Sequence, residues 1–354
     1  MKVISIIGAR PQFIKLAPLS IELRKRKVEE IVIHSGQHYD FNMSKNFLDE
    51  LLINKPKYNL KVGSGTHGYQ TSKMLYKFEN IFKDINPSII IVFGDTNTTL
   101  AAALAAAKMY IPIAHIEAGL RSFNKKMPEE INRILTDHVS KWCFAPTKVA
   151  MKNLKNENLI NNSYLVGDIM YDSLLLFKDK YDFRKIYSKY KIERKKYYVA
   201  TIHRQENTDI VKRLVNILKA LSNLNKPVIF PMHPRTVKMI NVNNLNKYIG
   251  INLKIIEPCS YLEMISMIKN SKNVITDSGG IQKEAYILKI PCITLRDETE
   301  WTETVNSGWN FLCPPNKSLD VNRIITSNFK DLKHKPFYGD GNTASRICRI
   351  ILNK

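Results

Sequence analysis

Residues 88–108 read SIIIVFGDTNTTLAAALAAAK, and this stretch decides the fold. Ser88–Phe93 is a near-continuous β-branched and apolar run, the pattern of a strand buried on both faces as in a parallel sheet. Gly94, Asp95 and a run of hydroxyl residues follow, and then Thr98–Lys108 reads as an alanine-rich helix. The next unit repeats the order. Ile111–Ile116 is a second apolar run, Glu117 and Gly119 follow it, and Pro128–Asp137 reads as a helix with proline in its first turn and acid residues behind it. Proline at that place loses no hydrogen bond, and the carboxylates suit the positive end of the helix dipole.

Working outward, Val3–Ile7 reads as a strand, 14–25 as a helix and Ile31–His34 as a second strand. The alternation fades after Gly167-Asp168. Residues 174–196, charged and rich in tyrosine, read as a connector. A second series then begins, with strands at Tyr198–Ile202, Val228–Pro231, Lys254–Ile256, Asn273–Thr276 and Cys292–Leu295. Alternating strands and helices argue parallel sheets built of βαβ units. The expectation is two doubly wound, Rossmann-like α/β domains. The first spans 1–170, with a C-terminal helix within 340–354 packing back on it, and the second spans 171–339. Ligands of such sheets bind beyond the carboxyl ends of the strands, here in the cleft between the two domains.

Composition narrows the function classes. The 354 residues are 44% hydrophobic, ordinary for a globular protein, and no apolar run reaches the ~20 residues that span a bilayer. The opening MKVISIIGARPQ is too short in its apolar part for a signal peptide and reads as a strand, which points to the cytoplasm. Five cysteines lie scattered without metal or disulfide spacing. No HExxH, Walker A or GxSxG string is present, so neither a metal nor another cofactor is expected. Lys and Arg number 54 against 32 Asp and Glu, a net charge of +22. That surplus admits a nucleic acid or a phosphorylated ligand. It accompanies no nucleic-acid motif and sits in stretches such as Arg24–Lys27, so we read it as dressing solvated helix faces.

The loops past the strand ends carry the chemistry. GARPQFIK (8–15) places Arg10 and Lys15 after the first strand, at the start of a helix that favours anions. Asp95, Glu117 and Glu129 stand at successive strand-end loops, a set suited to proton transfer on one substrate, although each also admits a structural role as cap or ion pair. HRQEN (203–207) and MHPR (232–235) put His203 and His233 just past strands of the second half. TDSGGIQKEA (276–285) brings Ser278 and the backbone N–H groups of Gly279 and Gly280 to a helix start, fit for a phosphate, with Glu284 one turn on and within reach of a ribose.

GARPQFIK, GDTNTT, HIEAGLR, PEEINR, HRQEN and TDSGGIQKEA, in this order, resemble the non-hydrolysing UDP-N-acetylglucosamine 2-epimerases over nearly the whole chain. The resemblance implies the two-domain GT-B architecture and a UDP-sugar substrate epimerised at C2 without metal or nicotinamide. It also implies a homodimer, with no nucleic-acid or membrane partner. By motif position, Asp95, Glu117 and Glu129 correspond to the acid/base carboxylates and His203 to a histidine near the diphosphate. Arg10 and Lys15 would meet the diphosphate or sugar, Ser278, Gly279 and Gly280 the phosphate, and Glu284 the ribose. The string RDETEW, with Trp301 where better-known members carry arginine, and the stretch Gln37–Asn42 look more like a particular branch. That branch acts on UDP-2,3-diacetamido-2,3-dideoxy-glucuronate and feeds bacterial surface polysaccharides. A glycosyltransferase of the same fold, or an epimerase that hydrolyses its substrate, would use similar motifs.

Overall fold

The computed structural model describes residues 1–37, 53–180, 182–316, 321, 324, 325, 329 and 332–352. The chain divides into two compact units, one of Met1–Leu176 with Pro336–Lys354 and one of Phe177–Lys335.

The first unit runs β1 (Lys2–Ile7), α1 (Arg10–Lys25), β2 (Glu29–His34), β3 (Tyr58–Asn59), α2 (His67–Ile85), β4 (Ile89–Phe93), α3 (Asn97–Lys108), β5 (Ile113–Ile116), α4 (Pro128–Val139), β6 (Trp142–Ala145), α5 (Lys148–Asn156), β7 (Ser163–Leu165) and α6 (Ile169–Leu176). Its seven strands lie in the order β3-β2-β1-β4-β5-β6-β7, and every neighbouring pair is parallel. β4, the strand within SIIIVF, is central and wholly buried. The alanine face of α3 lets α2 approach closely, so that Met74, Phe78 and Phe82 close the core over Ile90 and Val92.

The second unit runs α7 (Phe183–Tyr190), β8 (Tyr198–Thr201), α8 (Gln205–Thr208), α9 (Val211–Ser222), β9 (Val228–Pro231), α10 (Pro234–Val242), β10 (Leu253–Ile256), α11 (Tyr261–Asn270), β11 (Asn273–Thr276), α12 (Gly279–Ile287), β12 (Cys292–Thr294), α13 (Thr302–Asn306) and β13 (Asn310–Leu312). The sheet order is β10-β9-β8-β11-β12-β13, again with every neighbouring pair parallel. A last helix, α14 (Thr343–Leu352), belongs to the first unit and packs on α1 and α6. Its start is held by Asp172, which accepts from the Ala344 N–H at 2.8 Å.

Part of the stretch 174–196, read from sequence as a connector, is instead folded into the second core. Phe183 and Ile186 of α7 are buried, and they join Tyr197, Met264 and Met267 there. Arg184 and Lys185 between the two apolar positions, with Tyr187, Lys189 and Tyr190 after them, mask the helical period.

In each sheet the strand order reverses at one place, between β1 and β4 in the first unit and between β8 and β11 in the second. Loops at such a switch point diverge to opposite faces and leave a crevice at the carboxyl edge. The four loops there are GARPQ, GDT, HRQ and DSGG.

Candidate functional site

In the first unit the crevice loops are tied to one another before any ligand arrives. Gln12 accepts from the Gly8 and Ala9 N–H groups at 2.7 and 3.0 Å. Its amide donates across the switch point to the Phe93 carbonyl at 2.8 Å and to the Thr96 and Thr99 hydroxyls at 3.0 Å each. Thr96 caps α3, accepting from the Thr99 N–H, so Asp95 is spared that duty.

The Asp95 carboxylate, a third exposed, accepts from Arg133 of α4, with the nearest guanidinium nitrogen 2.8 Å away. Arg133 is buried and also donates to Glu130 at 2.6 Å. Glu130 in turn accepts from the Ser122 and Phe123 N–H groups at 2.9 Å each, which pins the loop ahead of α4. Its neighbour Glu129 stands half-buried in the first turn of the same helix.

Glu117 follows β5 in the left-handed region, at φ 72°. Such a conformation costs a non-glycine residue of order 1–3 kcal/mol and is typical of functional sites. Its carboxylate is paired with Lys15, both side chains being about nine-tenths buried. Gly94, at φ 64°, lies between them. A Cβ there would stand 3.2 Å from the lysine nitrogen and 3.4 Å from the glutamate oxygen. Lys15 is therefore a partner of the candidate base, one and a half turns into α1 rather than at its start. Arg10 opens α1, and its side chain lies outside the described residues, as do residues 38–42 of the Gln37–Asn42 stretch.

Behind these groups lies a buried cluster that the sequence did not announce. His115 sits between the Asp137 carboxylate, 2.6 Å from Nδ1, and the Gly94 carbonyl, 2.8 Å from Nε2. Asp137 also accepts from the Gly119 N–H at 3.0 Å and pairs with Arg121 at 2.8 Å. Burial alone would raise the Asp137 carboxyl, but the His115 ring and the Arg121 guanidinium outweigh it and hold the group below its usual range. Arg121 thus serves Asp137 and Glu157, not Glu117.

In the second unit Asp277 is the centre. Wholly buried, it accepts from the N–H groups of His203 at 3.1 Å and Arg204 at 3.0 Å and from the Asn207 amide at 3.1 Å. The partly exposed His203 ring brings Nδ1 within 3.2 Å of it. His233 lies beside that ring, 5.7 Å between centroids, and caps α10 through Nδ1, which accepts from the Arg235 N–H at 3.2 Å.

Ser278 holds the N-cap position of α12 without a side-chain cap bond. Gly279 is hemmed in by Glu300, whose Oε1 would stand 2.5 Å from a Cβ, whereas the space above Gly280 is open. Glu300 is held by the buried Arg296 at 3.0 Å. Glu284 is buried within α12. Trp301, the residue that departs from the better-known pattern, is buried under the Lys283 ammonium, 4.4 Å from its ring centre.

Two doubly wound parallel sheets, each with charged side chains at its switch point, define a two-Rossmann-domain α/β protein of the GT-B class. Comparison with known proteins narrows the class. The family model described as UDP-N-acetylglucosamine 2-epimerase matches residues 21–352. The chain is 52% identical to a UDP-N-acetylglucosamine 2-epimerase homolog of Methanococcus maripaludis, over the whole of both proteins. It is 45% identical, over 99% of each, to the UDP-2,3-diacetamido-2,3-dideoxy-D-glucuronate 2-epimerase of Pseudomonas aeruginosa. The crystal structure of Methanocaldococcus jannaschii UDP-GlcNAc 2-epimerase in complex with UDP-GlcNAc and UDP is similar over 100% of both chains, with a TM-score of 0.93 and 43% identity. The chain belongs to the UDP-N-acetylglucosamine 2-epimerase family, a family of isomerases. Among the described residues, no helix is long and apolar enough to cross a membrane.

Proposed function

We propose that this enzyme inverts C2 of a UDP-linked 2-acetamido sugar by eliminating UDP and adding it back. The observation that carries the reading is the pair of carboxylate–cation arrangements at neighbouring strand ends, Glu117 with Lys15 and Asp95 with Arg133. In the forward half, a carboxylate takes the C2 proton, a C1–C2 double bond forms, and the C1–O bond breaks with its electrons leaving on UDP. In the return half, a UDP oxygen attacks C1 and a second acid delivers a proton to the other face of C2. Inversion needs proton-transfer groups on both faces, and Asp95, Glu117 and Glu129 supply them.

The departing diphosphate needs preorganised donors and cations. Arg10, the backbone N–H groups of Gly279 and Gly280, the Ser278 hydroxyl and the rings of His203 and His233 take that part, and Glu284 takes the ribose. The open approach above Gly280 favours a phosphate there.

Both UDP-GlcNAc and UDP-2,3-diacetamido-2,3-dideoxy-glucuronate suit this chemistry. Relatives named for each stand at 44% and 45% identity. The RDETEW string favours the glucuronate, with the mannuronate epimer as product. The alternative product is UDP-ManNAc. We further assign the enzyme to the cytoplasm, as a homodimer supplying surface polysaccharide synthesis, on the strength of its likeness to the family. Incubation of each sugar in D2O tests the reading through the C2 proton.

A further inference from the structure

We propose that Asp277 is the positioning residue for His203, fixing its ring with the proton on Nδ1 so that Nε2 is the nitrogen that meets the substrate. That the substrate atom is a diphosphate oxygen rests on the functional reading above; the placement of the proton does not.

The argument begins at the switch point. β8 and β11 are paired so that Thr201 stands against Thr276. The loop leaving β8 therefore folds directly over the residue that leaves β11. Asp277 fills that fold and is surrounded by donors. The main-chain N–H groups of His203 and Arg204 can only donate. Asn207 is held in one orientation, because its amide also donates to the Leu295 carbonyl at 2.9 Å while its oxygen accepts from Arg213 at 3.1 Å. Facing donors alone, Asp277 is an ionised acceptor, and its carboxyl is held below the usual range despite burial, chiefly by the bond to His203. The remaining contact, from His203 Nδ1 at 3.2 Å, is then made by an N–H.

Its neighbour has the opposite arrangement. His233 Nδ1 accepts from the Arg235 N–H, which puts the His233 proton on Nε2. Two rings in contact thus present unlike nitrogens, a standing donor on His233 and a protonatable Nε2 on His203. A carboxylate behind an imidazole orients the ring and stabilises it when the second proton is taken. His203 is thereby prepared to share a proton with a diphosphate as negative charge develops on it, and to recover it when UDP adds back. The step moves no bond other than that to the proton.

Nitrogen NMR of protein labelled with 15N-histidine reads the tautomer directly, with His203→Gln identifying the signal. We expect the neutral wild-type ring to carry its proton on Nδ1. Asp277→Asn should move it to Nε2, with kcat reduced about 10²-fold or more and KM changed far less. A wild-type ring protonated on Nε2 overturns the inference even if Asp277→Asn fails to fold, and so does a folded Asp277→Asn protein that keeps the wild-type tautomer. A wild-type Nδ1–H ring in a protein that epimerises neither sugar upholds the inference about the ring and overturns the functional reading alone.

Discussion

Lys15, on the helix that follows β1, donates to the Glu117 carboxylate at the end of β5, reaching across the end of β4 between them. The reach explains three features of the sequence together. Gly94 must lack a side chain because the pair passes over it. Lys15 sits far enough along α1 to extend past one strand. Glu117 takes a left-handed conformation, which turns its carboxylate back toward the crevice. A cation beside a buried carboxylate favours its ionised form, the form in which a carboxylate can accept a proton.

Removing either member of this pair should have separable effects. Glu117→Gln keeps the shape and loses the base, so turnover should fall by about 10²–10⁴-fold, while UDP binding measured by calorimetry stays near wild type. Lys15→Met leaves the carboxylate buried without its cation, which costs about 3–5 kcal/mol. Glu117→Gln likewise takes the counter-charge from the buried Lys15 ammonium, so urea unfolding should show a loss of that order in both variants. Near-wild-type turnover in Glu117→Gln would remove it from the mechanism.

Asp137 should shape the acid limb of stability. Its folded pKa is depressed, so its contribution is present above the unfolded carboxylate value, near pH 4, and is lost as pH falls through the lower folded value. Asp137→Asn should therefore be less stable than wild type at pH 5–7, and the difference should narrow in progressively acid buffers. Urea midpoints across this range measure it; a gap that widens on acidification contradicts the assignment.

The two adjacent glycines should respond differently to alanine. At Gly279 the added carbon meets the Glu300 carboxylate, so Gly279→Ala should lose about 1–3 kcal/mol of stability through overpacking. At Gly280 the space is open, so Gly280→Ala should unfold at nearly the wild-type temperature. It should still bind UDP about tenfold more weakly, about 1.4 kcal/mol, because in the proposed function the phosphate approaches the space that the methyl group would fill. Unchanged UDP affinity in Gly280→Ala would move the phosphate elsewhere.

What the sequence made legible was local and periodic. SIIIVF announced a central parallel strand because every position after Ser88 is apolar, and the polar residues just past such strands marked the crevice. Groups acting over long sequence distance stayed hidden. Asp137 ends an amphipathic helix and resembles any polar residue there, yet it organises His115, Gly119 and Arg121. Asp277 was visible within DSGG, but its hold on the loop 203–207, some seventy residues earlier, depends on β8 and β11 being neighbours. Gln12 lies within GARPQFIK, whose local pattern does not show that its side chain joins two loops. Lys15 reads from its own helix as a cation for the substrate, and nothing there shows that Glu117 lies opposite.

The most direct test of the central claim is proton NMR of the wild-type enzyme in D2O with UDP-2,3-diacetamido-2,3-dideoxy-glucuronate and, separately, UDP-GlcNAc. The account predicts deuterium at C2 of at least one sugar, together with its manno-configured epimer still attached to UDP. No exchange at C2 with either sugar, or release of free sugar and UDP in place of an epimer, would contradict it.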